Sequence, residues 1–129
     1  MLKSNELRIG NLFMDKYSKQ TFPVLEILRN GNVVFDFETD KIWQAQEIIL
    51  TEKWLRKFGA ESYFTSDPQE RQASKAFKFG DIIIHMCNED VEEFMFESFE
   101  FIKIKTVHEL QNLYFYLTQQ ELFIKNKPN

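Results

Sequence analysis

The stretch Asp81–Lys105, "DIIIHMCNEDVEEFMFESFEFIKIK", decides how the second half of the chain folds. In extended backbone, successive side chains alternate between two faces, so Ile83, His85 and Cys87 point one way and Ile82, Ile84 and Met86 the other. "CNED" reads as a turn, and Phe94–Glu97 and Phe99–Ile104 read as returning strands, so the segment predicts an antiparallel meander. Its buried side is expected to carry the histidine and the thiol. Its wet side is expected to carry the acids Glu89, Asp90, Glu92, Glu93, Glu97 and Glu100.

Neighbouring His85 and Cys87 invite a metal or thiol-catalysis reading. A structural zinc takes four ligands and a catalytic zinc usually three from protein. Only His108 and carboxylates remain to complete such a set, at no matching spacing. Cys87 therefore reads as a small buried hydrophobe and His85 as a half-buried strand residue. "NEDVEEF" lacks the alternating ligands and fixed glycine of a calcium loop. No metal and no cofactor are expected.

Upstream, "LRIGNLFMDKYSKQTFPVLEILRNGNVVFDFETDKIW" reads as short strands and tight turns. Gly10-Asn11 is a turn before a strand at Leu12–Asp15. Pro23 opens a second strand, Asn30-Gly31 matches the type I′ hairpin signal, and Val33–Phe37 returns as a third. A small, curled, SH3-like antiparallel sheet is the natural product. In "LTEKWLRKFG", Thr51 is a good N-cap, Trp54, Leu55 and Phe58 share a face, and Gly59 supplies the stop of a short helix. Thr65–Lys75 is the most polar segment and reads as a long loop, with one helical turn opening at Asp67-Pro68. Ala76–Phe79 follows as a strand.

Thr106 and Glu109 form a capping box for a C-terminal amphipathic helix. Val107, Leu110, Leu113, Tyr114 and Leu117 make its apolar stripe. Tyr114, Phe115 and Tyr116 are consecutive, about 100° apart around the axis, so they cannot all face one core. Burial on both flanks of the helix is expected. Leu122–Ile124 is expected to add an edge strand. The fold class is α+β: small N-terminal sheet, short helix, meander, C-terminal helix. The expected organisation is a single compact domain, 1–129, with two fused subdomains, 1–59 and 60–129, as the alternative division.

The chain has 129 residues, of which 43% are hydrophobic and 28% charged, the balance of a globular domain. Fourteen phenylalanines have no polar handle and must be buried in the core or under a partner. Twenty acidic residues against sixteen basic ones give a net charge of −4, where nucleic-acid binders gain affinity from a basic surplus. One cysteine excludes an internal disulfide and suits a reducing cytoplasm. No signal peptide or membrane-spanning run is read in the sequence. No glycine-rich phosphate loop, nucleophile elbow or dinucleotide fingerprint occurs, so an enzyme is not expected.

"ELRIGNLF", "LTEKWLRKFGAE" and "VHELQNLYFYLTQQEL", in this order, resemble small proteins carried by phages and mobile elements of the Bacteroides–Flavobacterium group. The three motifs cover about a third of the chain and bring no active-site residues with them. The resemblance implies a protein acting in the host cytoplasm that binds and disables a host defence. An anti-CRISPR protein blocking an RNA-guided (type VI-B) nuclease, whose guide channel is basic, is its concrete form. The acids of Glu89–Glu100 would then make a partner-binding surface, with an exposed Phe96 or Phe99 as anchor. An RNA- or DNA-binding accessory module is the alternative. It would use the N-terminal sheet or a platform of Phe77 and Phe79 beside Arg71, Lys75 and Lys78. Direct nucleic-acid binding ranks behind a protein partner, and no membrane is implied.

Overall fold

A computed structural model describes residues 7–65, 74–88, 93–96 and 102–125. Nine strands and two helices follow one another among them. They are β1 (Leu12–Asp15), β2 (Thr21–Ile27), β3 (Val33–Phe35), β4 (Ala45–Gln46), α1 (Glu52–Lys57), β5 (Glu61–Thr65), β6 (Ser74–Phe79), β7 (Ile82–Asn88), β8 (Glu93–Phe96), β9 (Ile102–Ile104) and α2 (Val107–Thr118). The fold is mixed α+β, as the hydrophobic periodicities predict. Two compact units contain these elements: Met1–Ile49 with Thr106–Gln119, and Leu50–Lys105 with Gln120–Asn129. Thus α1 belongs with the meander and α2 with the small sheet. Among the described residues no helix is long and apolar enough to cross a membrane.

The first unit is a curled antiparallel sheet in the order β3-β2-β1-β4. Phe13 stands opposite Phe22, and both are buried with Leu7 and Val24 in one cluster. Burying side chains of this size contributes about 1.5–3 kcal/mol each. β2 begins two residues before Pro23. The proline lacks a donor, but its carbonyl still accepts the Asp36 N–H at 3.0 Å. The hairpin after β2 is not type I′, which needs positive φ at both central residues. Only Gly31 has it, at φ 88°, and Leu28 N–H bonds Asn32 O across a three-residue loop. Asn30 instead accepts the Asn32 N–H with its side chain, stabilising the longer turn.

Helix α2 starts where Thr106 accepts the Glu109 N–H and ends at Gln119, which takes the left-handed φ of 61°. Its buried residues are Val107, His108, Leu110 and Gln111, whereas Leu117 and Tyr116 are exposed. The inward stripe is therefore rotated from the expected one, and the helix is not covered on both flanks. Two polar residues displace the apolar ones because they find partners inside.

In the second unit, β5 to β9 form a five-stranded antiparallel meander in sequence order. Phe77, Phe79, Ile82, Ile84, Met86 and Phe94 fill its buried face. His85 pairs with Ala76 and Met95 on the opposite face and is half-buried. The expectation that the histidine lies on the buried side is thus corrected. Three bulky aliphatic or thioether side chains at 82, 84 and 86 take the core in preference to the imidazole. The polar loop is shorter than expected, since Thr65 ends β5 and Ser74 opens β6. The helical turn foreseen at Asp67-Pro68 lies outside the described residues.

Helix α1 ends as its glycine dictates. Gly59 has φ 89°, its N–H bonds Arg56 O, and Ala60 N–H bonds Leu55 O, the paired bonds of a Schellman stop. Thr51 accepts the Trp54 N–H at the other end. Glu52 bonds Lys75 of β6 and Arg56 one turn on, fastening α1 to the meander. The Lys75 bond foremost, opposed by burial and helped by Arg56, holds the Glu52 carboxyl below its ordinary range. Leu122–Ile124 form no strand. Leu122 is buried, Phe123 exposed, and Lys125 N–H bonds Lys57 O beside Gly59.

Candidate functional site

Of the acidic window, Glu93 and Phe96 fall in β8, while Glu89, Asp90, Glu92, Glu97, Phe99 and Glu100 lie outside the described residues. Strand alternation puts Glu93 and Met95 on one face and Phe94 and Phe96 on the other. Phe94 is buried and Phe96 half-buried on that inner face. The acid and the aromatic proposed as its anchor therefore do not share a surface. The Glu93 carboxylate lies 3.5 Å from Lys103 Nζ on β9, both about 40% exposed at 42% and 44%. A pair this open is worth about 0.2–1 kcal/mol. Glu93 thus presents a carboxylate outward with one cation alongside it.

The face of the meander opposite Phe77 carries the row Tyr63, Ala76, His85, Met95 and Lys103, one residue from each strand, with Ala76 wholly buried in it. Phe77 and Phe79 are on the other face, 0% and 7% exposed, so neither can stack on a base. Lys75 is engaged by Glu52, Lys78 is exposed, and Arg71 lies outside the described residues. The expected platform does not assemble. Cys87 belongs to β7. Among the described residues no three His, Cys, Asp or Glu side chains come together as metal ligands would.

In the first unit a polar clamp ties the start of the chain to α2. The Gln111 Oε1 accepts the Leu12 N–H at 2.8 Å, and its Nε2 donates to Gly10 O at 3.2 Å. Asn112 Oδ1 accepts from Asn11 Nδ2 at 2.9 Å and from the Arg8 guanidinium at 3.3 Å. Asn11 in turn accepts the Arg8 N–H with its own side chain. The guanidinium lies 3.7 Å over the Phe115 ring, which answers how that ring is covered. His108 is buried, stacked on Phe13 at 5.1 Å. Beside the clamp a cavity of about 460 Å³ is lined by Arg8, Glu47, His108, Glu109, Asn112 and Tyr116. So the "RIGN" and "LQN" motifs, from opposite ends of the chain, serve one another.

A second concavity, about 330 Å³, lies on the small sheet, with Tyr17, Phe37 and Ile42 among its walls. Asp15 is buried beside it. Its Oδ2 accepts the Ser18 N–H and its Oδ1 the Gln44 N–H, each at 2.9 Å. Burial pushes the carboxyl's pKa up, but the bonds from Gln44, Ser18 and Tyr17 outweigh it and hold it at about 2. Asp15 is an ionised loop brace. Trp43 packs edge-on against Phe22, Phe35 and Phe37 at 5.7, 6.1 and 5.3 Å, yet is 37% exposed. Ile42 beside it is 85% exposed. Sequence reasoning passed over this loop. Its signal was the alternation of acids with Phe37, Ile42 and Trp43 after β3.

Comparison with protein-family models, with curated proteins and with solved structures gives no significant match, so the functional reading rests on the residues themselves.

Proposed function

We propose that the chain is a non-catalytic binding protein of the phage type, which inhibits a host defence enzyme by covering a basic surface. An RNA-guided (type VI-B) nuclease in the host cytoplasm is the concrete target. The observation that carries this reading is the run of one-signed charge at Glu89, Asp90, Glu92, Glu93, Glu97 and Glu100, set among large apolar residues. Glu93, where described, faces outward from β8. A negative surface of this kind speeds encounter with a positive one and selects for it. The partner contact is assigned to the acids, and Phe96, half-buried on the inner face, is not its anchor.

The test is RNA cleavage by a purified type VI-B nuclease loaded with its guide, with and without this chain. The native chain should suppress cleavage, and Glu89→Lys/Glu92→Lys/Glu97→Lys should not, at an unchanged melting temperature. Equal suppression by both chains would remove the acidic surface from the account.

A further inference from the structure

We infer that β5 is the pairing edge of a homodimer, in which two copies of the chain join their meanders antiparallel with Tyr63 meeting Tyr63 on a two-fold axis. An edge strand offers a row of unpaired N–H and C=O groups, and folds guard such edges by shortness, lysine, proline, a bulge or a covering element. Among the described residues, three of the four sheet edges are guarded. β3 and β4 have only three and two residues, and β9 has three with Lys103 in the middle. β5 has five, "ESYFT", of which Tyr63, Phe64 and Thr65 are strand-forming types and none is lysine or proline. Its register against β6 runs from Glu61 opposite Lys78 to Thr65 opposite Ser74 without a shift, so no bulge turns it away. Glu61, Ser62 and Tyr63 are exposed, and among the described residues no strand pairs with β5 on its far side.

The strand's own charge pattern selects a second copy as the occupant. Antiparallel pairing centred on residue 63 is the one two-fold register that matches all five residues. It sets Glu61 opposite Thr65, Ser62 opposite Phe64, and Tyr63 opposite itself, so no like charges meet and an aromatic pair forms at the axis. The same operation on β9 sets Lys103 against Lys103, which disfavours pairing there. Glu61 is the one charged residue of β5 and already stands opposite Lys78 on β6, so the edge carries little net charge toward its copy. Arg56 of α1 donates to the Ser62 hydroxyl at 3.4 Å, which engages the side chain and leaves the backbone edge to the second copy. Each copy's open edge is consumed at the axis, so the assembly closes at two chains. A strand pair buries little surface, which puts the dimer in the weak, concentration-dependent class. None of this depends on the acidic window.

The experiment is sedimentation of the purified full chain over a concentration series up to its solubility limit, with amide hydrogen exchange measured at both ends. The native chain should pass from monomer to dimer, and the amides of β5 should gain protection at the dimer end. Tyr63→Lys and Tyr63→Glu should each stay monomeric at an unchanged melting temperature, since each sets like charges at the axis. An equimolar mixture of the two should dimerise again, because lysine then faces glutamate. A native chain that is monomeric throughout, new protection confined to residues outside β5, or a variant that dimerises alone would overturn the inference. So would a mixture of folded variants that stays monomeric where the native chain dimerises. Should either variant lose its fold, the exchange pattern of the native chain decides alone.

Discussion

In the small sheet, Gln111 and Asn112 reach back about a hundred positions to bond Leu12, Gly10, Asn11 and Arg8. In the meander each strand bonds its own sequence neighbour, and the core face is a plain alternation from Phe77 to Phe94. The first arrangement depends on a few buried polar groups meeting partners. The second depends on apolar volume. The two units should therefore fail under different kinds of substitution.

The largest effect is expected in the meander. Phe77 is wholly buried, and Phe77→Ala should cost about 3–5 kcal/mol, read as a lower denaturation midpoint. A loss near zero would mean that the meander is not held by its apolar face. Next comes the clamp: Gln111→Ala leaves the half-buried Leu12 N–H without its acceptor and should cost about 1–3 kcal/mol. Glutamate cannot replace the amide's donation to Gly10 O, so Gln111→Glu should be no rescue. A fully stable Gln111→Glu would show that only the acceptor half matters.

Acid acts on both units, through Asp15 in the first and Glu52 in the second. Asp15 titrates at about 2 in the folded chain against an ordinary 3.8. A lowered folded pKa stabilises above the unfolded value and loses that contribution as pH falls. The native small sheet should thus weaken between pH 3.8 and about 2. Asp15→Asn should be weaker at neutral pH and flatter across that acid window. Parallel acid profiles for the two chains would contradict the brace. The smallest effect belongs to Glu93→Gln, which removes an exposed pair and should cost under about 1 kcal/mol.

The same contrast explains what could be read from the chain. Leu12–Asp15, the Thr51 and Thr106 caps and the Gly59 stop are legible because their chemistry is local. So is the meander, whose period of two survives in β6 and β7. Which face of β7 is buried was not legible, because both faces carry an isoleucine and the neighbours choose. Nor was the inward turn of His108 and Gln111, since a buried polar residue is identified by a partner far along the chain. The hairpin failed for a similar reason: Asn30 used its side chain locally where the dipeptide signal expects its backbone. At the candidate site, charge was legible and position was not, as the opposite faces of Glu93 and Phe96 show.

Whether opposite charge carries partner binding is tested most directly by titrating a purified type VI-B nuclease with the native chain at increasing ionic strength. Docking of an acidic surface on a basic one predicts that affinity falls steeply as salt screens the pair. Binding that holds level across the same series, or no binding at low salt, would contradict it.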